Sequence, residues 1–367
     1  MKRTLDWDKY LETSARAVSG GIVMLKNDGA LPLKQGGTAA VFGRIQLHYY
    51  KSGTGSGGMV NVSKVIGITD GLLDAGYKLD EQLLNAYREW DEQNPFDYGE
   101  GWGGEPWSQK EMPLTDELVG GAASRADAAI VIIGRTAGEE MDNKLEKGAF
   151  LLSDLEEDML RRVTSAFDKT VVLLNTGGLI DMSFMDRYPV SAVMYVWQGG
   201  MVGGAGTAAV LTGEVSPSGK LPVTFYRTAD LLPDIHDYSM KGRTYRYCTD
   251  ENVLYPFGHG LSYADVRCVN MEIVSGTDVE VTVENRSDIP AEEVVQVYIK
   301  GCNEDSVPNR SLCGFQRVRL EPHETKTVRI PVPSAAFQTV LSDGSREVLP
   351  GRFTLSAGID TASELLQ

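Results

Sequence analysis

The sequence is poor in the residues that build metal centres and covalent staples. Its 367 residues include four cysteines (Cys248, Cys268, Cys302, Cys313) and four histidines (His48, His236, His259, His323), all scattered singly. No CxxC or Cys/His ligand spacing occurs, so neither a metal site nor a metal cofactor is expected. The cysteines read as free thiols of a reducing compartment. Positive charge is also scarce: 35 Lys and Arg stand against 51 Asp and Glu, for a formal net charge of -16 and a pI near 4.8. Nucleic acid and anionic membrane would be repelled by such a chain and are excluded as partners, whereas a neutral substrate is unaffected. A run of about 18 apolar residues, needed to span a membrane, is missing. Residues 1–14 lack the apolar core of a secretory signal, so the expected location is cytoplasmic.

What is present is a globular composition, 42% hydrophobic and 23% charged, over a length that calls for two or more domains. Helical spacing of Trp7, Leu11, Ala15 and Val18 predicts a helix over 7–21, and a short apolar run at 22–25 reads as a connector. Residues 38–43 (TAAVFG) read as a first buried strand. Helices are predicted over 68–75 and 81–93, with a short strand at 77–79 between them. Two further buried strands, 169–174 and 191–197, follow the central one at 128–133, and a capping box at Ser153 and Glu156 opens a helix before the first of them. Successive βα units of this kind predict a parallel sheet with helices on both sides, an α/β sandwich. A small-residue helix at 203–212 and a last strand at 220–225 complete it. From about Tyr263 short alternating strands separated by turns predict an antiparallel β-sandwich.

The chain is organised around residues 128–150, AAIVIIGRTAGEEMDNKLEKGAF. A continuously apolar strand, buried on both faces, stops at Gly134 and gives way to a loop bearing Glu139, Glu140, Asp142 and Glu146. Open α/β sheets bind ligands at the carboxyl ends of such strands. Two other loops invite a function. Residues 52–58 (SGTGSGG) contain GxGxxG, but about ten residues separate it from the preceding strand and no helix opens at its end. It reads as a pocket-lining or surface loop, with a pyrophosphate cradle as the lesser alternative. Residues 94–109 (NPFDYGEGWGGEPWSQ) form a long aromatic loop whose Trp102 and Trp107 suit either stacking on sugar rings or plain surface packing.

Three stretches together resemble glycoside hydrolase family 3, the β-glucosidase and β-xylosidase family. They are GIVMLKNDGALPL at 21–33, WQGGMVGG at 197–204 continuing to SPSGKLPVTF at 216–225, and YPFGHGLSY at 255–263. Residues 294–300 and 314–322 are similar to the fibronectin type III-like module that often ends these enzymes. The resemblance implies an α/β sandwich domain over 1–225, a connecting segment over 226–262 and a fibronectin-like β-sandwich over 263–367. It also implies a retaining β-glycosidase acting on a β-linked glucoside, with no cofactor. In the family a loop after a central strand supplies the general acid/base in a pattern like Gly-Glu-Gly-x-Asp, which Gly138-Glu139-Glu140-Met141-Asp142 occupies here. Glu139 then carries the role. Glu140, a departure from the pattern, is a neighbour expected to raise the pKa of Glu139 or an alternative acid. Asp142, Ser56, Trp102 and Trp107 are candidate substrate contacts.

The family's nucleophilic Asp comes from a (β/α)8 barrel that these residues do not contain. Some members place the barrel last, and the start of this chain suits that order, so the barrel is the expected partner and the chain alone is expected to be inactive. A non-catalytic carbohydrate-binding or scaffold protein and a nucleotide-binding α/β protein are the rival readings, and a homo-oligomer stays open.

Overall fold

A computed structural model describes residues 5–56, 58, 60–139, 141–275, 277–302, 306–341, 343–348, 351–358 and 361–366. The chain forms two compact units, residues 1–219 and 220–367. In the first unit the elements run α1 (Trp7–Gly21), β1 (Val23–Asn27), β2 (Thr38–Phe42), α2 (Ile68–Asp74), β3 (Lys78–Leu79), α3 (Glu81–Gln93), α4 (Asp116–Arg125), β4 (Ala128–Arg135), α5 (Asp154–Ala166), β5 (Thr170–Thr176), α6 (Phe184–Arg187), β6 (Ala192–Tyr195) and α7 (Gly203–Leu211). The strands form one six-stranded sheet in the order β1-β6-β5-β4-β2-β3. Five of them are parallel; the connector expected at 22–25 is instead the edge strand β1, antiparallel to β6 with Val23 opposite Tyr195.

β4 and β5 are buried along their whole length, as their unbroken apolar runs require. The capping box forms: Glu156 N–H donates to Ser153 Oγ at 3.3 Å, and Ser153 N–H donates to Glu156 Oε2 at 2.7 Å. α7 is rich in glycine because α1 and α2 press on it. A Cβ on Gly206 would lie 2.6 Å from Val18 Cβ, and one on Gly71 would lie 2.3 Å from the Gly204 carbonyl oxygen. Helix α4, capped by Thr115, goes unannounced in the sequence, because Gly120 and Gly121 interrupt its stripe and only Val119 and Ala122 are buried.

The second unit contains β7 (Phe225–Tyr226), α8 (Thr244–Tyr247), β8 (Val253–Tyr255), β9 (Val266–Ser275), β10 (Asp278–Asn285), β11 (Ala291–Gly301), β12 (Ser311–Leu320), β13 (Thr325–Ile330), β14 (Gln338–Val340), β15 (Arg346–Val348), β16 (Arg352–Ala357) and β17 (Thr361–Leu366). The strand expected at 220–225 does not join the parallel sheet. Only its end survives, as β7 paired with β8, since Pro222 has no N–H to give a ladder. Sheets β13-β10-β9 and β12-β11-β16-β17 enclose a core that includes Val279, Val281, Val283, Val297, Leu320 and Leu355. The alternation along β10, buried at every second residue, is the all-β pattern the sequence displays. The motif at 255–263 serves this unit: Phe257 stacks on Tyr245 at 4.1 Å and meets Tyr298 edge-on. Gly258, at φ +83°, lets the turn approach that tyrosine, where a Cβ would lie 2.2 Å from its hydroxyl.

Candidate active site

The sheet order fixes where a site can lie. After β2 the chain moves outward to β3, then crosses back to place β4 on the other side of β2. Their connections therefore diverge and leave a crevice at the carboxyl ends of β2 and β4, the usual ligand position in such sheets. The end of β2 is drawn tightly against β4: Gly43 has φ +100°, and a Cβ there would lie 2.2 Å from the Ile132 carbonyl oxygen. Immediately beyond it comes Arg44, and at the end of β4 comes Arg135, the two largest fully buried side chains among the described residues.

Each arginine closes a loop. Arg44 Nη1 donates to the Lys110 carbonyl at 3.2 Å and Nη2 donates to the Asn94 carbonyl, so one guanidinium ties together both ends of the aromatic loop. Asp91 balances the charge at 2.7 Å and also holds His48 Nε2 at 2.7 Å. Within the loop the Gln109 side chain pairs with the Asp97 backbone through two 2.8 Å hydrogen bonds, imitating a strand. Arg135 Nε donates to the Ala149 carbonyl at 2.8 Å and Nη2 to the Leu151 carbonyl at 3.3 Å, tying the far end of the acidic loop to its start. Glu156 takes the same guanidinium in a bidentate pair at 2.6 and 2.8 Å.

Glu139 stands on the tip of that acidic loop, exposed. Residues 53–56 pack against it: Thr54 pairs with Gly138 in a parallel bridge, and Ser56 N–H donates to Glu139 Oε2 at 2.8 Å. The glycines of GxGxxG have their use here. A Cβ on Gly53 would lie 1.9 Å from the Ala137 carbonyl oxygen and one on Gly55 (φ +81°) 3.0 Å from Glu139 Oε2, while on the facing acidic loop one on Gly138 would lie 2.0 Å from Thr54 Oγ1. The motif thus buys close contact between two loops; the next helix, α2, opens only at Ile68, so the helix N-terminus of a pyrophosphate cradle is missing.

The Ser56 N–H holds the Glu139 carboxyl below the usual glutamate range. This contact acts against the upward shift expected from Glu140, because a donated N–H stabilises the charged form. Glu140 itself lies outside the described residues. Asp142 is exposed three residues beyond Glu139. Ser56 reaches Glu139 through its backbone N–H first and its side chain second, a pairing the sequence does not announce. Trp102 is exposed at 54%. Trp107 is half-buried, and its carbonyl accepts from Thr136 N–H at 2.9 Å, which ties the aromatic loop to the root of the acidic one. A Cβ on Gly103, next to Trp102, would come within 3.9 Å of the Glu139 carbonyl oxygen, so both loops flank the same crevice.

The end of β5 and the turn after β6 adjoin the same crevice. Asn175 Oδ1 accepts from Tyr50 N–H at 3.0 Å, and its Nδ2 donates to the carbonyls of Tyr50 and Trp197 at 3.0 and 2.6 Å. Gln198 Nε2 donates to the Arg135 carbonyl at 3.2 Å. Trp197 holds the left-handed conformation, φ +55°, a strain that tends to collect at functional sites. Sequence reading singled out none of Arg44, Arg135, Asn175 or Gln198. Asn175 and Gln198 follow their apolar runs directly, and Arg44 and Arg135 follow theirs after one glycine, a position that does not reveal what each side chain will hold. Among the described residues no group of three or more His, Cys, Asp or Glu is arranged to hold a metal ion.

An exposed carboxyl on a loop tied to a strand end can give and take protons. Comparison with known proteins identifies the setting. Residues 22–263 match the Glycosyl hydrolase family 3 C-terminal domain. The chain belongs to glycoside hydrolase family 3. Residues 293–361 match the fibronectin type III-like domain. The family member is 49% identical over 344 residues to a β-glucosidase of Ruminococcus albus, covering 89% of this chain and 36% of that protein. Its fold superposes on a β-glucosidase from Paenibacillus barengoltzii with a TM-score of 0.91 at 36% identity, covering 100% of this chain and 43% of that one. It also superposes on β-glucosidase 3B from Thermotoga neapolitana, solved in complex with α-D-glucose, with a TM-score of 0.88 at 29% identity, covering 99% and 54%. The chain thus spans between about a third and just over half the length of these relatives. The resemblance carried by the three sequence stretches holds, as does the α/β sandwich followed by a fibronectin-like sandwich.

Proposed function

We propose that this family 3 chain is the proton-donating part of a retaining β-glucosidase. Its substrate is a β-linked glucoside, in keeping with the names of its relatives. The observation that carries this reading is the position of Glu139, an exposed carboxyl on the loop after the central strand, at the crevice where the strand order reverses.

Retaining hydrolysis needs two carboxyl groups about 5 to 5.5 Å apart. Glu139 protonates the departing glycosidic oxygen as its bond to the anomeric carbon breaks. The second carboxyl, an Asp of a (β/α)8 barrel that completes the longer protein, attacks that carbon. Glu139 then takes a proton from the water that releases the sugar. Trp102 and Trp107 flank the leaving-group side. By this reading the 367-residue chain alone does not hydrolyse glucosides.

The test is Glu139→Ala in the barrel-bearing enzyme, assayed on glucosides of graded leaving-group ability. Loss of a general acid costs about 10²- to 10⁴-fold on poor leaving groups and far less on dinitrophenyl glucoside, whose leaving group departs without a proton. Equal losses on every substrate, or none, would remove Glu139 from the role. Full binding of β-glucosides with no hydrolysis by either protein would favour the carbohydrate-binding scaffold.

A further inference from the structure

The contact between Ser56 and Glu139 bears on the two halves of the cycle differently. A general acid must be protonated before the leaving group departs, whereas the same group must be ionised when it draws a proton from water. A backbone N–H bonded to a carboxylate is charge-assisted and roughly twice as strong as one bonded to a neutral oxygen. It therefore favours the ionised form over the protonated one.

The turn that offers this N–H is built with care. Thr54 N–H donates to the Ala137 carbonyl at 2.5 Å and Thr54 bridges to Gly138, so the two loops are joined on the near side of Glu139. Gly55, at φ +81°, turns the backbone so that the next N–H meets Oε2, and any side chain there would press on the carboxylate from 3.0 Å. On the far side the Lys51 carbonyl accepts from Gly200 N–H at 2.8 Å, which anchors the start of the loop to the turn after β6.

We propose that the Gly53–Ser56 turn positions Glu139 for the water-activating half of the reaction, its Ser56 N–H holding the carboxylate that accepts the proton of the attacking water. The proposal rests on the acid/base role of Glu139. In the first half the proton on the Glu139 carboxyl passes to the glycosidic oxygen and leaves a carboxylate. The N–H, already 2.8 Å from Oε2, holds that carboxylate. In the second half water gives its proton to the carboxylate, its oxygen bonds to the anomeric carbon, and the barrel Asp leaves. Ser56 is a positioning residue and touches no substrate atom in this scheme.

Two variants probe it: Ser56→Pro, which deletes the N–H and is read against Ser56→Ala to set aside the hydroxyl, and Gly55→Ala, which intrudes on Oε2. In the 367-residue chain, 13C NMR follows the Glu139 carboxyl through a pH titration, with Glu139→Gln as the assignment control. Glu139 should titrate below an ordinary glutamate in the parent and higher in both variants, while circular dichroism shows the fold retained. In the barrel-bearing enzyme, dinitrophenyl glucoside makes release of the sugar limiting. There kcat should fall about tenfold, the worth of one hydrogen bond to a charged group, while kcat/KM holds within about twofold. An unshifted titration in both variants, or kcat and kcat/KM falling together, overturns the proposal. These outcomes are distinct from failure of the acid/base reading itself, in which Glu139→Gln keeps full activity on poor leaving groups and both proposals fall together.

Discussion

Two loops flank the crevice, each closed by a buried arginine, and they are not closed equally well. Arg135 ends β4, donates to carbonyls at both ends of the acidic loop, and meets Glu156 through two hydrogen bonds. Its partner is itself buried and fixed a second time by the capping box of α5. Arg44 gathers both ends of the aromatic loop, but its Nε is buried without a hydrogen-bond partner, and its counter-ion Asp91 is partly open to solvent and shared with His48. The difference matches what each loop carries. On the proposed reading the acidic loop must present one carboxyl at a fixed point, where a misplacement of an ångström is costly. The aromatic loop presents faces, Trp102 and Tyr98, that tolerate small shifts.

The largest effect that could break this comparison is Arg135→Ala. It leaves the buried Glu156 charge without its partner, and the expected loss of folding stability is about 3–5 kcal/mol, read from urea unfolding. A loss under about 1 kcal/mol would mean that the pair is not holding the loop.

Next comes Glu111, buried between the two roots, whose oxygens accept from Arg44 N–H and Met112 N–H at 2.8 Å each. Burial, opposed by those two N–H groups and assisted by the Glu156 charge, pushes its carboxyl up to about 7. The folded value lies above the unfolded one. Its contribution is therefore complete below the ordinary glutamate range and is lost as pH rises through about 7. Between pH 5 and 8 the parent should lose up to roughly 3 kcal/mol from this group, and Glu111→Gln should flatten that slope. Parallel pH curves for the two proteins would contradict the assignment.

Arg44→Ala should cost less than Arg135→Ala, about 2 kcal/mol, since Asp91 can rehydrate. It should also open residues 97–105 to proteases. A cost above that of Arg135→Ala would invert the comparison. The smallest effect is expected from Trp102→Ala, within about 0.5 kcal/mol, because the side chain is largely in solvent.

Most of the fold was legible because its signals are local. The unbroken apolar runs of β4 and β5, the alternation of β10 and the Ser153 to Glu156 spacing each report one element's surroundings. Errors came where the deciding partner is distant. β1 is a strand because β6 lies beside it, and 220–225 leaves the sheet because a proline removes a donor. The position of Glu139 could be read from the strand end and the family pattern. Its protonation could not, since that depends on an N–H 83 residues away in sequence. The two arginines were invisible for the same reason: a guanidinium after a strand says nothing of the carbonyls it will gather.

The central claim is that Glu139 gives and takes the proton. The most direct measurement is hydrolysis of dinitrophenyl glucoside by the barrel-bearing Glu139→Ala enzyme with and without azide, an anion that needs no base to attack the glycosyl intermediate. The account predicts that azide restores turnover and yields β-glucosyl azide, with the anomeric configuration retained. No rescue, or an α-linked azide, would contradict it.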